Sequence, residues 1–306
     1  MSPRTALVFP GQGSQRLGML EDLPGHDSLS RLLDAAEALS GFNLRDIAAH
    51  GPEDQLADTR CAQPLLYLAD WAWGRALIES GVTPGAVAGH SLGELAALAI
   101  AGVFSVEAGL ELVVERSRFM ATAARENPGT MAAVLGLDAS AVQAALECTE
   151  GVWVANDNAP GQIVITGNLM AVADASDALT EAGARRIVPL NVAGPFHSPL
   201  MEDARVRFAA VVGSTAFADA RLPVYQNTDP TPATNGEVIR QRLAHQIVAP
   251  VRWTETMRAL VADGFSLVVE AGPGSVLTGL ARRVEGLAGI AAEAVGIEGV
   301  LEEVSA

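Results

Sequence analysis

The residues that decide the fold are GAVAGHSLGELAALAIA, positions 85–101, in which an apolar run leads through a glycine-flanked serine into a helical segment. Residues 85–88 predict a short buried strand, and residues 92–101 predict a helix that ends at Gly102. The glycines around Ser91 permit the sharp turn that joins such a strand to such a helix and leaves the serine hydroxyl exposed. The stretch therefore predicts an α/β protein with Ser91 as a nucleophile.

A turn of this kind also directs backbone N–H groups toward the oxyanion that forms when a serine attacks an acyl carbon. The N–H of Leu92 is one such group, and the positive end of the helix dipole lies beside it. The motif alone is also compatible with a serine that only caps a helix. With a strand before it and a helix after it, the pattern favours acyl transfer through a covalent acyl-Ser91 intermediate.

A serine nucleophile needs a general base, and the chain has five histidines. His197 follows a predicted strand in a loop rich in Gly and Pro, where α/β proteins place functional groups. His245, in a helical segment, is the alternative. His90 is next to Ser91 in the chain, so its side chain points elsewhere and a packing role is predicted for it. The sequence context favours His197 as the base that takes the Ser91 proton.

The composition excludes several classes of function. The chain has 306 residues, 49% of them hydrophobic, and 20 Lys+Arg against 36 Asp+Glu give a net charge of -16. Every basic side chain is arginine, which excludes Schiff-base and Walker lysines, and the acidity argues against a nucleic-acid partner. Cys61 and Cys148 fit neither a disulfide framework nor a metal site, so we predict no metal and no cofactor.

The sequence shows neither a membrane-spanning segment nor a secretion signal. No apolar stretch reaches the length of a membrane span, and residues 1–9 run into a strand-like segment without the pattern of a signal peptide. We therefore expect a cytoplasmic protein with no membrane partner.

The segment 128–192 differs from the rest of the chain. Its predicted elements follow the order β-α-β-β-α-β, which is typical of a ferredoxin-like unit. Mixed helices and strands precede and follow it. We predict a large domain with a parallel sheet, formed by residues 1–127 and 193–306, which carries the ferredoxin-like unit of residues 128–192 as an inserted subdomain.

Seven motifs, in a fixed order, span nearly the whole chain. They are FPGQGSQ (9–15), GHSLGE (89–94), ERSRFM (115–120), NAPGQ (158–162), GPFHS (194–198), QIVAPVRW (246–253) and EAGPG (270–274). Together they resemble the malonyl-CoA:acyl-carrier-protein transacylases, which include the enzyme of fatty-acid synthesis and the acyltransferases of polyketide synthases. The resemblance implies an α/β-hydrolase-like large domain with the inserted ferredoxin-like subdomain.

The resemblance also implies a ping-pong reaction. Ser91 attacks the thioester of malonyl-CoA with His197 as the base, CoA leaves, and the phosphopantetheine thiol of an acyl carrier protein takes the malonyl group. The backbone amides of Gln12 and Leu92 are implied to form the oxyanion hole, and Arg116 to hold the malonyl carboxylate. Further polar residues implied to line or support the site are Gln63, Asn158 and Gln246.

Physical chemistry supports this role for Arg116. A planar guanidinium holds a carboxylate through two parallel hydrogen bonds, and losing one partner of a buried pair costs ~2–5 kcal/mol. Without the resemblance, a surface ion pair with Glu115 or Glu111 would be the ordinary interpretation. Phe196 occupies a position associated with malonyl selection in the polyketide relatives, and its bulk favours an unsubstituted malonyl group.

Some alternatives stay open. A malonyl-loading subunit of a malonate decarboxylase shares the motifs around Gln12 and Ser91. A hydrolase that removes acyl groups from carrier proteins shares the fold, but such enzymes tend to lack the arginine at position 116. Leu95 and Ala193 depart from common family residues without touching a proton-transfer role. The sequence does not decide between fatty-acid synthesis and polyketide synthesis in trans.

The partners implied by the resemblance are anionic. Malonyl-CoA and a typical carrier protein would both be repelled at long range by the net charge of -16, so docking requires local arginines. The candidates for this surface are Arg185, Arg186, Arg205, Arg207, Arg252, Arg282 and Arg283. Family analogy favours a monomer.

Overall fold

A computed structural model describes residues 3–306 of the chain. The strands, in chain order, are β1 (Thr5–Phe9), β2 (Ala86–Gly89), β3 (Thr130–Leu135), β4 (Val152–Ala159), β5 (Gln162–Gly167), β6 (Arg186–Pro189), β7 (Val224–Tyr225), β8 (Leu267–Glu270) and β9 (Ala288–Ala291). The α-helices, in chain order, are α1 (Leu29–Ser40), α2 (Leu44–His50), α3 (Glu53–Ala57), α4 (Thr59–Glu79), α5 (Gly93–Ala101), α6 (Val106–Glu126), α7 (Ala139–Leu146), α8 (Leu169–Glu181), α9 (Glu202–Ser214), α10 (Gly236–His245), α11 (Trp253–Ala262), α12 (Val276–Ala281) and α13 (Ala292–Ser305). None of these helices is both long and apolar enough to cross a membrane.

The large sheet is parallel and has the strand order β7-β2-β1-β8-β9. Every residue of β1, β2 and β8 is buried, because helices cover both faces of the sheet. The carboxyl ends of neighbouring parallel strands meet at one edge, so the turns after β1, β2, β7 and β8 lie side by side. This edge carries the serine turn.

The turn between β2 and α5 can form only because two of its residues are glycine. A Cβ on Gly93 would lie 2.0 Å from the carbonyl oxygen of Phe9, and one on Gly89 would lie 2.0 Å from the backbone of Gly93. No side chain fits at these separations. All nine residues of α5 are buried, so the helix that follows the serine is fixed in the centre of the fold.

The small sheet is antiparallel and has the order β4-β5-β3-β6. Helices α7 and α8 contribute Val142, Leu146, Ala175 and Leu179 to a separate hydrophobic cluster with this sheet. The order and the two helices are those of a ferredoxin-like unit, so the predicted fold class is confirmed. The predicted domain boundaries, 127/128 and 192/193, stay a prediction.

Strand β4 connects the two sheets to each other. It extends to Ala159 through two irregularities in its pairing with β5. Its last part meets the large domain, where Val251 N–H donates to Ala155 O at 2.8 Å and Asp157 N–H donates to Val251 O at 2.9 Å. This pairing brings the NAPGQ segment to the serine edge of the large sheet.

The sequence analysis missed some short or weakly patterned elements. They are α2, α3, β9 and α13. Helices α2 and α3 have only 7 and 5 residues, too few for a helical period to stand out. Helix α13 contains Gly296 with a non-helical φ of 69°, which interrupts its apolar pattern.

Asp70, on α4, is a carboxyl group in the interior of the fold. Among residues 3–306 neither of its oxygens has a hydrogen-bond partner, and the residue is 0% exposed. It packs against Gly272, where a Cβ would lie 2.2 Å from Asp70 Oδ1. Burial, with Glu270 as the second cause, raises the pKa of Asp70 well above its usual range.

We expect Asp70→Asn to increase the free energy of unfolding by about 1–3 kcal/mol near pH 8, because ionisation of Asp70 stabilises the unfolded wild-type chain there and asparagine does not ionise. The raised pKa means that the stability contributed by protonated Asp70 is present below about pH 4 and is lost as pH rises toward the folded pKa. The difference in the free energy of unfolding between Asp70→Asn and the wild type, measured by urea denaturation, should therefore be larger at pH 8 than at pH 5. Asp174→Asn, an exposed change on α8, is the control. An equal effect at both pH values would contradict the assignment.

Candidate active site

Ser91 and His197 face each other across the carboxyl edge of the large sheet. Ser91 Oγ lies 2.8 Å from His197 Nε2. Both residues have a positive φ, 50° and 55°, which is uncommon for residues other than glycine. His245, the alternative base, is exposed at the end of α10. The hydrogen bond thus joins Ser91 to the histidine that the sequence favoured.

The other ring nitrogen of His197 fixes its tautomer. Nδ1 lies 3.1 Å from Gln246 O and 3.0 Å from Ala249 O. Carbonyl oxygens only accept hydrogen bonds, so Nδ1 carries the proton and Nε2 accepts from the Ser91 hydroxyl. Two backbone carbonyls therefore orient this imidazole, in the position that a carboxylate occupies in Ser-His-Asp enzymes.

His197 is held in its neutral form. It is 4% exposed, and burial followed by the charge of Arg116 lowers its pKa to about 3. A neutral imidazole can accept a proton throughout the physiological range, which is the state a general base requires.

Two backbone amides beside Ser91 have no acceptor among residues 3–306. These are the N–H of Leu92, at the start of α5, and the N–H of Gln12, in the turn after β1. The side chain of Gln12 bonds elsewhere, donating to Ala57 O at 3.2 Å and accepting from Thr59 at 3.3 Å. Both residues line the cleft at Ser91, and two free N–H donors there have the composition of an oxyanion hole.

Arg116 comes from the middle of α6 and is 1% exposed. Its Nη1 donates to Gln63 Oε1 at 2.8 Å, and its Nη2 donates to Gln246 Oε1 at 2.9 Å and Ser91 Oγ at 3.1 Å. No carboxylate of residues 3–306 forms an ion pair with it. Burial lowers its pKa to about 10, with Glu94 acting in the opposite direction, so the guanidinium stays charged at neutral pH.

The alternative of a surface ion pair for Arg116 is wrong. Glu115 pairs with Arg118 at 2.6 Å on the exposed side of the same helix. The helical period explains the difference, because Arg116 and Arg118 point to faces about 200° apart.

The cleft at Ser91 has a volume of about 270 Å³ and lies between the two sheets. Its apolar wall includes Met120, Met131 and Phe196. Asn158 is not itself part of the cleft wall, but its Oδ1 lies 2.8 Å from Nε2 of His90, which lines the cleft. The His90 ring also packs edge-on against Trp253, with 5.4 Å between ring centroids. Within residues 3–306, no cluster of three or more His, Cys, Asp or Glu side chains could hold a metal ion.

Sequence reasoning missed Asn227 and assigned no role to Glu94. Ser91 N–H donates to Asn227 Oδ1 at 2.6 Å, and Asn227 N–H donates to Glu94 Oε2 at 2.7 Å. Both side chains are 1% exposed. A signal was available, because Asn227 is a polar residue directly after a strand at the same sheet edge.

A serine hydroxyl bonded to a histidine beside two free backbone amides is the arrangement of enzymes that transfer acyl groups through an acyl-serine, to another acceptor or to water. The family model described as acyl transferase domain matches residues 6–295, and the chain belongs to that family. Within the family it belongs to the malonyl-CoA:acyl-carrier-protein transacylases. It is 42% identical over 280 residues to the transacylase of Synechocystis sp., covering 92% of this chain and 93% of that protein.

Other relatives agree with this placement. The malonyl CoA-acyl carrier protein transacylase of Escherichia coli is 40% identical over 284 residues, covering 91% of this chain and 92% of that one. A solved malonyl-transacylase in complex with its type II polyketide synthase acyl-carrier protein superposes with a TM-score of 0.90 at 37% identity, covering 99% of both chains.

Proposed function

We propose that this protein moves a malonyl group from malonyl-CoA to the phosphopantetheine thiol of an acyl carrier protein through malonyl-Ser91. The observation that carries the proposal is Arg116, a buried cation 3.1 Å from Ser91 Oγ whose direct partners are uncharged. A buried charge without an ion-pair partner in direct contact is costly. The carboxylate of a malonyl group at Ser91 would supply that counter-ion.

In the first half-reaction, Ser91 Oγ attacks the thioester carbonyl carbon while its proton passes to His197 Nε2. The N–H groups of Gln12 and Leu92 receive the oxyanion. The C–S bond then breaks, and the imidazolium returns the proton to the CoA sulfur. In the second half-reaction, the pantetheine thiol gives its proton to His197 and its sulfur attacks malonyl-Ser91. Ser91 Oγ leaves and regains the proton.

The named relatives support the acceptor in this scheme. One neighbour is a malonyl-transacylase bound to the acyl-carrier protein of a type II polyketide synthase. The curated relatives carry the name malonyl CoA-acyl carrier protein transacylase. Both fatty-acid and polyketide carrier proteins are therefore acceptors to test.

Intact-protein mass spectrometry tests the proposal. The protein is incubated separately with malonyl-CoA, methylmalonyl-CoA and acetyl-CoA, and Ser91→Ala is treated identically. We expect a malonyl adduct that is absent from Ser91→Ala, persists in buffer and disappears when carrier protein with its phosphopantetheine arm is added. An adduct that water removes within the same time would instead identify an acyl hydrolase.

For the docking of the carrier protein, we propose a smaller surface than the full set of candidate arginines. Arg205 bonds through two nitrogens to the carboxylate of Glu202, and Arg252 bonds in the same way to Glu255. Each carboxylate offsets the positive charge of its arginine. Arg207 is exposed and forms no ion pair with a described carboxylate, but it lies on α9, which packs mainly against α6 and α10 and not on the small sheet. The remaining candidates form what we term the arginine cluster, which consists of Arg185, Arg186, Arg282 and Arg283.

Two members of the arginine cluster, Arg185 and Arg283, flank two adjoining turns, and Arg186 and Arg282 are their neighbours in the chain. Gly136 N–H donates to Gly161 O at 3.0 Å, which joins the turn after β3 to the turn between β4 and β5. Arg185 N–H bonds to Leu135 O at 2.8 Å on one side, and Arg283 Nη1 bonds to Gln162 Oε1 at 2.7 Å on the other. The four side chains are exposed, and none forms an ion pair with a described carboxylate. A local positive surface on an acidic protein suits an acidic carrier protein.

We expect the double change Arg186→Glu/Arg282→Glu to raise the KM for carrier protein by roughly tenfold at low salt, because exposed charges act mainly on association. The rate of malonyl loading from malonyl-CoA should stay unchanged. Arg205→Glu, which reverses an arginine that is already paired, is the control. The KM is obtained from the rate of malonyl transfer as a function of carrier-protein concentration, at two ionic strengths. An unchanged KM in the double variant would exclude this surface.

A further inference from the structure

Asn227 reaches Ser91 because of strand register. β7 pairs with β2 in parallel, with Ala88 opposite Tyr225. Two residues further along both strands, Asn227 therefore lies beside the turn that holds Ser91. Its side chain bonds to both sides of that turn: Nδ2 donates to Gly89 O at 2.6 Å, and Oδ1 accepts from Ser91 N–H at 2.6 Å.

The orientation of the Asn227 amide is determined by its partners. Gly89 O can only accept and Ser91 N–H can only donate, so exchanging Oδ1 and Nδ2 would place like groups together on both sides. The backbone of Asn227 is also fixed. Its N–H donates to Glu94 Oε2 at 2.7 Å, and its carbonyl accepts from Arg252 N–H at 3.1 Å.

The carboxylate of Glu94 bonds to the two residues that directly follow β7. Gln226 Nε2 donates to Glu94 Oε1 at 3.1 Å, so the two carboxylate oxygens engage two consecutive residues after β7. Glu94 lies in the first turn of α5 and is 1% exposed. The start of α5 and the end of β7 are therefore joined by a buried network that passes through Asn227.

This network determines which N–H remains available at the turn. Ser91 N–H is used by Asn227, and Ser91 O accepts from Gln246 Nε2 at 2.9 Å. Gly93 N–H bonds to His90 O at 3.0 Å. Within the described residues, the Leu92 N–H alone among these successive amides has no acceptor. The positive φ of Ser91 is maintained while its neighbour's N–H stays free for the oxyanion.

We propose that Asn227, anchored by Glu94, is a positioning residue that holds the Ser91 backbone in its left-handed conformation and so directs the Leu92 N–H at the reacting carbonyl. The inference rests on the proposed function, since it concerns the acylation of Ser91. Asn227 acts on the backbone of the turn and not on the malonyl carboxylate, which is the role proposed for Arg116. Its loss should slow acylation whatever acyl group is offered.

Single-turnover acylation tests this, with the first-order rate constant measured by rapid quench and mass spectrometry for malonyl-CoA and for acetyl-CoA. We expect Asn227→Leu to lower the rate constant about 10- to 100-fold, by the same factor for both thioesters, as a small displacement of reacting groups does. The concentration of malonyl-CoA that gives half-maximal rate should not change. Asn227→Asp, which keeps the acceptor for Ser91 N–H but loses the donor to Gly89 O, should fall between Asn227→Leu and wild type.

The rate constant separates positioning from folding. A variant that folds in smaller amount has a smaller amplitude but the wild-type rate constant, whereas a displaced turn lowers the rate constant itself. Thr228→Val is the matched control, because it changes the next residue, whose buried Oγ1 has no partner among residues 3–306.

The outcomes are distinct. Wild-type rate constants for Asn227→Leu and Asn227→Asp would overturn the inference and leave the proposed function intact, as would a loss confined to malonyl-CoA. If Asn227→Leu does not fold, the rate constant of Asn227→Asp decides. A wild-type protein that forms no malonyl adduct would overturn the proposed function itself.

Discussion

Replacing His197 with alanine is expected to slow the malonyl loading of Ser91 by about two to four orders of magnitude, the usual contribution of a general base. Ser91 Oγ bonds to His197 Nε2 at 2.8 Å and to Arg116 Nη2 at 3.1 Å, and of these two groups only the imidazole can accept its proton. Single-turnover loading is the measurement. His245, the alternative base, is exposed, so His245→Ala should be loaded at the wild-type rate. Slow loading of His245→Ala together with normal loading of His197→Ala would identify His245 as the base.

The depressed pKa of His197 gives the same reaction a pH signature. A base with an ordinary histidine pKa near 6.5 would lose activity below neutrality as it becomes protonated. Burial and the charge of Arg116 lower the pKa of His197 to about 3, so the neutral form persists far below pH 6.5. We expect the loading rate of the wild type to be nearly constant from pH 8 to about pH 5. A decline centred near pH 6.5 would contradict this picture of the site.

Replacing Arg116 with alanine is expected to lower malonyl loading by about a hundredfold or more, while acetyl loading changes much less. The figure follows from the ~2–5 kcal/mol that one partner of a buried, hydrogen-bonded charge pair contributes. Without the guanidinium, the malonyl carboxylate would enter a buried site that offers only the amides of Gln63 and Gln246. The ratio of loading rates for malonyl-CoA and acetyl-CoA measures the effect independently of the amount of folded protein.

Arg118→Ala is the matched control for this change. Arg118 lies two residues away on α6 and pairs with Glu115 at the surface, so its loss removes an equal charge without touching the cleft. Its malonyl-to-acetyl ratio should equal that of the wild type. Equal losses for malonyl and acetyl groups in Arg116→Ala would mean that Arg116 supports Ser91 generally and does not select a carboxylate.

Much of the site could be predicted from local sequence because its parts are short and obey strict steric rules. The turn at Ser91 requires glycine at positions 89 and 93, where a Cβ would collide with backbone, and that requirement is visible in the sequence. His197 was favoured as the base because it follows a predicted strand in a loop rich in Gly and Pro, which is also a local property of the sequence. Arg116 was different, because an arginine on a helix is ordinary and only the resemblance indicated a role.

The candidate docking arginines illustrate a local signal that the sequence analysis did not use. Arg205 and Arg252 each pair with a glutamate three residues away. Side chains at this spacing are neighbours on a helix, so both ion pairs could have been expected from the sequence. The docking surface itself stays a prediction.

The sequence by itself determined the α/β class, the β-α-β-β-α-β unit and, through the resemblance, the family, and it predicted Ser91 as nucleophile and His197 as base. These depend on periodicity, glycine positions and motif order, which are local properties of the chain. The tertiary structure alone decided that two carbonyls bond to His197 Nδ1, that Arg116 forms no ion pair with a described carboxylate, and that Asn227, bound by Glu94, bonds to the turn at Ser91. Residues 91, 94 and 227 meet only because parallel pairing of β2 with β7 brings distant chain segments to one sheet edge, and such contacts have no signature along the sequence.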